Sequence, residues 1–448
     1  MSQGIWKNEA ILRNRTCWAL LIVALVLGIG SSCSSIPVRR FADVRLKLIA
    51  QPQNTGPCLA SLLGPPTKDC IQWQPNVDAA PTYDFSRRLF FVGAGDDYLH
   101  VLDADSGEPI AQVSTEGRVI TRALFNKDGS VFFLGTDKAS VLALDAFTFA
   151  RVFSFTADSK INNNMIMVDK ALVFTSAVGT IYSVNSETGE LNWRLPQPLA
   201  AERLRLSSNS NIIVAEKKML ADAPLTLVVP HADGYISVID AASGEVKKRV
   251  SLGISRPNGF PDIVAPMVIL RNQLWVASYD LGLCAIDLTT FQIREQRNIS
   301  EITQLASDGH SLYAATPNVL MSLSDAGIIK WKNNIAEISA KLAPLGYPFT
   351  HSMDSSKRLF YGTPSRLLLR EKQGELIMAT SYGSLGVFDK SNGQVIKILG
   401  NSVGFGPKID WAGSDSIVAM SRRGLLMKFQ FGHHGDENKE KPTAFRPL

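Results

Sequence analysis

The stretch Tyr98–Val113, YLHVLDADSGEPIAQV, holds the pattern that decides the fold: an apolar strand ending in Asp103, a turn with Gly107, and a second strand. Asp and Asn side chains stabilise tight turns by accepting hydrogen bonds from nearby backbone N–H groups, and Gly adopts the positive φ that such turns need. The clearest further copies are TIYSVNSETGELNW from Thr180, YISVIDAASGEVKKRV from Tyr235 and LGVFDKSNGQVIKI from Leu385.

Eight copies align when the residue that ends the strand is taken as an anchor. An apolar residue directly precedes every anchor, and an aliphatic residue lies four positions before it. The anchors are Asp103, Asp145, Asn185, Asp240, Asp287, Ser324, Asp389 and Gln430. Successive anchors are 42, 40, 55, 47, 37, 65 and 41 residues apart. With a further apolar strand upstream of each pair, a unit contains about four short strands, which is typical of propeller blades.

The repeats predict an all-β fold, an eight-bladed β-propeller with four-stranded blades spanning residues 70–432. The eighth unit stops near Gly432, before it can supply its outermost strand, and Cys70–Gln74 is a strand-like piece that belongs to no other unit. Its Trp73 matches the aromatic residue that ends other units. We therefore expect this N-terminal strand to complete the last blade and close the ring, which removes an exposed sheet edge. An open solenoid is the alternative.

The first 32 residues have the order of features found in a secretory signal. Lys7, Arg13 and Arg15 precede the apolar run Cys17–Gly30, which is short for a membrane span, and small residues then lead to Cys33. This order resembles a lipoprotein signal peptide, which implies that Cys33 is acylated and that the chain is anchored by lipid to the outer membrane on its periplasmic face. A plain signal peptide or an uncleaved anchor are the alternatives.

The remaining segments follow from this division. Residues 33–69 are predicted to be a linker from the lipid anchor, and the polar stretch 433–448 to be a disordered tail. An oxidising compartment makes a disulfide between Cys58 and Cys70 feasible. Cys284 lies in an apolar strand and is interpreted as a small buried hydrophobe.

Composition and motifs argue against catalysis, metal binding and nucleic-acid binding. The formal charge is +5 over 448 residues, and Lys and Arg are scattered, so nucleic acid is not expected as a partner. The six histidines fall in no metal-ligand spacing, and no nucleophile or dinucleotide motif is present. Because the repeated Asp occurs once per blade, we interpret it as structural. The sequence predicts a non-enzyme with no cofactor and no metal site.

The apolar strand, Asp, turn and Trp of SVNSETGELNW resemble the pyrroloquinoline-quinone-type propeller repeats. Together with the lipoprotein signal, the eight units and the N-terminal closing strand, they are similar to the BamB family of outer-membrane lipoproteins. The resemblance implies a non-catalytic scaffold in the machinery that folds and inserts outer-membrane β-barrel proteins. It also implies as partners BamA, bound through its periplasmic POTRA domains, other subunits of that machinery, and nascent outer-membrane proteins.

The family's partner-binding loops correspond to two segments between the middle blades. In the first, Leu204, Arg205 and Leu206 resemble a Leu-Ser-Leu-Arg stretch, and in the second, Asp262 lies in Gly259–Ile263 where the family has an Asp-containing loop. The residue order differs from the family in the first segment, and the second keeps a single Asp. A quinone-dependent dehydrogenase-type propeller and a generic periplasmic interaction propeller are the alternative functions.

Overall fold

The structure, a computed structural model, describes residues 44–50, 79–161, 165–196, 210–215, 225–253, 259–335, 364–380, 384–400, 405–413, 415–421 and 426–431. Within these ranges, 32 strands form eight antiparallel sheets of four strands each. The sheets are the blades of a propeller, so the predicted fold class is confirmed.

In the first four blades, the strands follow one another from the inner to the outer edge of the sheet. The strands of the first two blades are β2 (Thr82–Asp84), β3 (Leu89–Gly93), β4 (Tyr98–Asp103), β5 (Pro109–Ser114), β6 (Leu124–Phe125), β7 (Val131–Gly135), β8 (Ser140–Asp145) and β9 (Arg151–Thr156). The strands of the third and fourth blades are β10 (Ile166–Val168), β11 (Ala171–Thr175), β12 (Ile181–Asn185), β13 (Leu191–Leu195), β14 (Ile213–Ala215), β15 (Thr226–Pro230), β16 (Tyr235–Asp240) and β17 (Val246–Ser251).

The fifth, sixth and seventh blades repeat this order, and the eighth takes three of its strands from the end of the chain. The strands of the fifth and sixth blades are β18 (Val268–Leu270), β19 (Gln273–Ser278), β20 (Gly282–Asp287), β21 (Ile293–Arg297), β22 (Gln304–Ser307), β23 (Leu312–Ala315), β24 (Val319–Leu323) and β25 (Ile329–Asn334). Those of the seventh and eighth are β26 (Leu368–Arg370), β27 (Glu375–Ala379), β28 (Ser384–Asp389), β29 (Val395–Gly400), β30 (Phe405–Trp411), β31 (Ser416–Ser421) and β32 (Leu426–Phe431).

An N-terminal strand completes the eighth blade, as predicted, but the segment is a different one. The outer strand is β1 (Val44–Ala50), which pairs antiparallel with β32, whereas Cys70–Gln74 lies outside the described residues. The sequence VRLKLIA alternates apolar residues with Arg45 and Lys47, which is the pattern of a strand buried on one face only, and it is longer than CIQWQ. The interval 33–69, predicted to be a linker, therefore contains a strand of the propeller.

The anchors have the structural role that the repeats predicted. In six blades, the third strand ends at the anchor itself. Asp103 Oδ1 accepts hydrogen bonds from the backbone N–H groups of Asp105 at 2.9 Å and Ser106 at 2.7 Å, and the N–H of Gly107 donates to the Asp103 carbonyl at 2.9 Å. These bonds, that from the Ser106 backbone foremost, lower the pKa of the Asp103 carboxyl. An anchor carboxylate of this kind thus accepts hydrogen bonds from the backbone of its own turn.

Neighbouring blades pack through apolar faces and through aromatic residues that dock on the next turn. Phe90 and Val92 of the first blade share a buried cluster with Val418 and Met420 of the eighth, so the ring is closed by packing as well as by β1. Trp193 illustrates the second kind of contact: its indole N–H donates to the Ala241 carbonyl at 3.1 Å. Its ring lies so close to Gly244 that an added Cβ would be 2.6 Å from it.

The antiparallel order gives the propeller two distinct faces. The turns between first and second strands and between third and fourth strands lie together, on what we call the anchor face, and the links between blades lie on the opposite connection face. Val44 pairs with Phe431, the last residue of β32, so the N-terminal strand begins on the anchor face. The Gly259–Ile263 segment belongs to the connection face. The link that contains residues 204–206, which lie outside the described residues, leaves the third blade and enters the fourth on this face.

Candidate interaction site on the connection face

The two predicted partner segments belong to consecutive links around the ring. Leu204, Arg205 and Leu206 lie outside the described residues, in the link that leaves the third blade at β13 and enters the fourth at β14. Asp262 lies in the next link, between β17 and β18. Both links therefore leave from the same face of adjacent blades. In the second link, the residues from Gly259 to β18 are described.

The Gly259–Ile263 loop is held by backbone hydrogen bonds to the fifth blade. The carbonyls of Phe260, Pro261 and Asp262 accept from the Asp280 N–H at 3.2 Å, from the Ser278 hydroxyl at 2.9 Å and from the Tyr279 N–H at 2.9 Å. The Asp280 carboxylate in turn accepts from the Phe260 N–H. Since consecutive backbone groups are satisfied in this way, the loop is fixed against the turn between β19 and β20.

The carboxyl group predicted from the sequence is not what this loop presents to solvent. Asp262 is only 2% exposed, whereas Phe260, Tyr279 and Asp280 are each half-buried. The Phe260 and Tyr279 rings meet edge to face, with centroids 6.5 Å apart. The outer surface of the loop is therefore an aromatic pair bordered by a carboxylate, a composition suited to protein recognition.

Sequence reasoning missed Tyr279 and Asp280 because it followed what the units share. The equivalent turns of other blades contain small or Gly-rich runs, such as AGDD after Gly93 and HADG after Pro230. The sequence YDL at the same place in the fifth blade departs from that pattern. A bulky aromatic residue where the repeat places small residues was the available signal.

Acidic groups surround the aromatic pair. Burial raises the pKa of Tyr279, and the nearby carboxylates of Glu301 and Asp280 raise it further. The phenol therefore stays protonated at neutral pH and can donate a hydrogen bond to a partner.

The neighbouring turn of the fourth blade adds a second aromatic group. The Arg249 guanidinium lies 4.7 Å from the centre of the Tyr235 ring and pairs with Asp233 at 2.8 Å. Burial lowers the pKa of His231 in the same turn to about 4, so the imidazole is neutral and its Nε2 bonds to the Ser237 hydroxyl at 2.7 Å. These groups are engaged with one another and order the turn.

The cysteines divide between one described residue and the positions predicted for modification. Cys284 is fully buried, as predicted, and burial raises the pKa of its thiol to about 11, which makes it unreactive. The predicted lipidation residue Cys33 and the predicted disulfide partners Cys58 and Cys70 lie outside the described residues. Among the described residues, no group of three or more His, Cys, Asp or Glu side chains is placed to hold a metal, and no helix is long and apolar enough to cross a membrane.

The fold and its site define a class: a closed β-propeller built from eight repeats, whose recurrent acidic residues are structural and whose irregular surface lies on the connection face. Residues 95–333 match the family model described as outer membrane protein assembly factor BamB. The chain belongs to this family.

Individual relatives are distant. The chain is 21% identical over 251 residues to the outer membrane protein assembly factor BamB of Yersinia pestis, covering 53% of this chain and 61% of the relative. It is 20% identical over 251 residues to the protein of the same name from Moranella endobia, covering 52% and 61%. The chain thus spans about six-tenths of the length of the curated relatives it matches.

Solved structures share the fold. BamB from Moraxella catarrhalis superposes with a TM-score of 0.63 at 16% identity, covering 80% of this chain and 98% of that structure. Sqt1 of Saccharomyces cerevisiae gives a TM-score of 0.60 at 13% identity, covering 81% and 97%. At these identities the likeness concerns the fold alone.

Proposed function

We propose that the chain is a non-catalytic scaffold subunit of the machinery that assembles β-barrel proteins in the outer membrane. It acts at the periplasmic face of that membrane, anchored by lipid at Cys33, and binds the periplasmic POTRA domains of BamA. Membership of the BamB family supports this role. The structural observation that carries the proposal is the fixed loop Gly259–Ile263, which presents an aromatic pair on the face where the preceding link leaves the third blade and enters the fourth.

The chemistry of this surface suits a protein partner. Interfaces gain most of their affinity from a few aromatic and Arg side chains in positions from which water is excluded. The Phe260–Tyr279 pair supplies aromatic area on a backbone that is already ordered, so binding costs little conformational entropy. The Asp280 carboxylate at its border favours a basic group on the partner.

The four residues predicted from the sequence take different parts in this proposal. Leu204, Arg205 and Leu206 contact the partner directly. Asp262, being buried, acts by holding the loop in place, through the hydrogen bond from the Tyr279 N–H to its carbonyl. Because this hydrogen bond uses the backbone carbonyl, an Asp262→Asn variant retains it.

Co-purification tests the role and the surface together. The tagged full-length protein is purified from detergent-solubilised membranes that contain the assembly machinery, and bound BamA is quantified. Tyr279→Ala, and Leu204→Ala combined with Arg205→Ala, should each reduce recovered BamA by about tenfold or more, the effect of losing a strong interface residue. Tyr98→Ala is the matched control, because Tyr98 also lies at a connection-face turn beside a carboxylate and is 38% exposed, but belongs to the first blade.

The outcomes separate the role from the site. If BamA is absent from the wild-type preparation, the proposed function fails and the protein is an interaction propeller with another partner. If BamA is recovered equally with all variants, the function stands and the assigned surface is wrong. Circular dichroism of each variant confirms that the propeller has folded.

A further inference from the structure

Three charged side chains from three different blades meet in the central channel of the propeller. Asp410, on the inner strand of the eighth blade, accepts hydrogen bonds from Arg122 Nη1 at 3.0 Å and from Arg366 Nη1 at 3.0 Å. Arg122 belongs to the second blade and Arg366 to the seventh. Because the first blade lies between the second and the eighth, the contact from Arg122 reaches past a whole blade.

The two arginines occupy the same position in their blades. Arg122 lies two residues before Leu124, which pairs with Phe133, and Arg366 lies two residues before Leu368, which pairs with Ile377. At this register, the other blades whose side chain is described carry the uncharged residues Ala80, Asn211, Pro266 and Gln304. Among the described side chains, the positive charge at this register is therefore confined to the second and seventh blades.

The charges of the cluster do not balance. Two guanidinium groups share one carboxylate, which leaves a net charge of +1, and each arginine side chain is 48% exposed while Asp410 is 15% exposed. A guanidinium group has five N–H donors in a planar fork. In Arg122 and in Arg366, a single nitrogen, Nη1, donates to Asp410. Both forks thus retain further donors on side chains that are about half exposed.

Asp410 also places the two forks. A single carboxylate that binds both arginines holds them near one another and limits their rotamers, so the cost of ordering them is met before a ligand arrives. A charged cleft with protein walls concentrates ions of opposite sign. A planar pair of guanidinium groups matches the oxygens of carboxylate and phosphate groups.

We propose that Arg122 and Arg366 form a binding site in the channel for a small oxyanion, a phosphate or a carboxylate, and that Asp410 is the residue that positions them. This site is separate from the surface assigned to BamA and does not depend on the proposed function. The anion binds to the sides of the guanidinium groups that point away from Asp410.

Isothermal titration of the purified full-length protein with inorganic phosphate and, separately, with citrate tests the site and distinguishes the two anion types. Arg122→Gln and Arg366→Gln should each weaken binding by about tenfold, since each removes a charge-assisted bidentate contact. Asp410→Asn keeps one acceptor oxygen but removes the competing negative charge. The stronger attraction for the anion should outweigh the looser placement of one arginine, so this variant should bind more tightly. The opposite sign excludes a simple loss of folding as the explanation.

A matched control comes from an arginine that is balanced. Arg118 is 53% exposed and pairs with Asp137 at 2.8 Å, so Arg118→Gln should leave anion binding unchanged. Where a Gln variant fails to fold, Arg122→Lys retains the charge without the fork and should bind with intermediate affinity. The proposal is overturned if neither anion binds the wild type at millimolar concentration, or if Arg122→Gln, Arg366→Gln and Arg118→Gln behave alike.

Discussion

Replacing Arg370 by leucine is expected to lower the free energy of unfolding by about 3–5 kcal/mol, because the change leaves buried carboxylates without their cation. Arg370 ends the inner strand of the seventh blade. Its Nη1 lies 2.5 Å from Glu375 Oε2 in the same blade, and its Nη2 lies 3.0 Å from Asp415 Oδ1 in the eighth. The guanidinium also lies 4.6 Å from the centre of the Phe431 ring. The network therefore joins the two blades at the closure of the ring.

The magnitude follows from how deeply each group is buried. The side chains of Arg370, Glu375 and Asp415 are 1%, 6% and 19% exposed. Without the arginine, Asp415 can regain part of its hydration, but Glu375 cannot, so most of the cost arises there. Replacing Arg370 and Glu375 together by leucine removes both buried charges and should cost less than the Arg370 change alone.

Urea unfolding of wild type, both single leucine variants and the double variant measures these differences. Transitions followed by tryptophan fluorescence and by circular dichroism must coincide before free energies are compared. Arg88→Leu is the control, since its pair with Asp105 is 64% and 50% exposed and should contribute less than about 1 kcal/mol. The reasoning is refuted if Arg370→Leu costs no more than Arg88→Leu, or if the two leucine changes are additive.

Two further predictions concern the contacts between blades. In the same urea assay, Gly244→Ala should lower the free energy of unfolding by about 1–3 kcal/mol more than Gly309→Ala. Both glycines have φ near +80°, but only at Gly244 would the new Cβ meet an indole ring. Equal losses of stability would show that the ring moves aside. Burial alone would raise the pKa of Asp308, but its hydrogen bonds, that from Lys390 foremost, outweigh burial and lower the pKa from 3.8 to about 2. A carboxyl group whose pKa is lower in the folded state stabilises the fold at pH values above 3.8. The stability advantage of wild type over Asp308→Asn should therefore be constant near neutrality and disappear as the pH falls from about 4 to 2. An advantage that persists at pH 2 would contradict this assignment.

The blades could be predicted from the repeats because the residues that form each turn lie close together in the sequence. An anchor such as Asp240 specifies its turn through bonds to N–H groups two and three residues away, and a Gly follows it at a fixed distance. Eight units with the same local pattern are strong evidence for one repeated architecture. The closing strand has no local signature of that kind. Its partner β32 lies at the other end of the chain, and both Val44–Ala50 and Cys70–Gln74 have sequences compatible with an outer strand.

The sequence showed that one link between blades is unusually long, but it did not show which side chains the candidate site presents. The link between the third and fourth blades was visible as the 55-residue spacing between Asn185 and Asp240, whereas the segment with Asp262 was chosen from the family resemblance. Which side chain each link exposes depends on the turn it packs against, and that turn belongs to a different unit. Asp262 is buried because its loop is bonded to the turn at Tyr279, a contact that no local pattern records.

Repetition and function occupy different residues in this protein for a physical reason. The anchor carboxylates are numerous and conspicuous, yet each already accepts hydrogen bonds within its own turn, and those bonds lower the pKa of carboxyls such as Asp145 and Asp287. A carboxylate held in this way is a poor base and has little left to offer a ligand. Groups that remain available are those that break the repeat. Arg122 and Arg366 do so at one register of the channel, and Tyr279 does so at one turn of the connection face, which is why the proposals above rest on them.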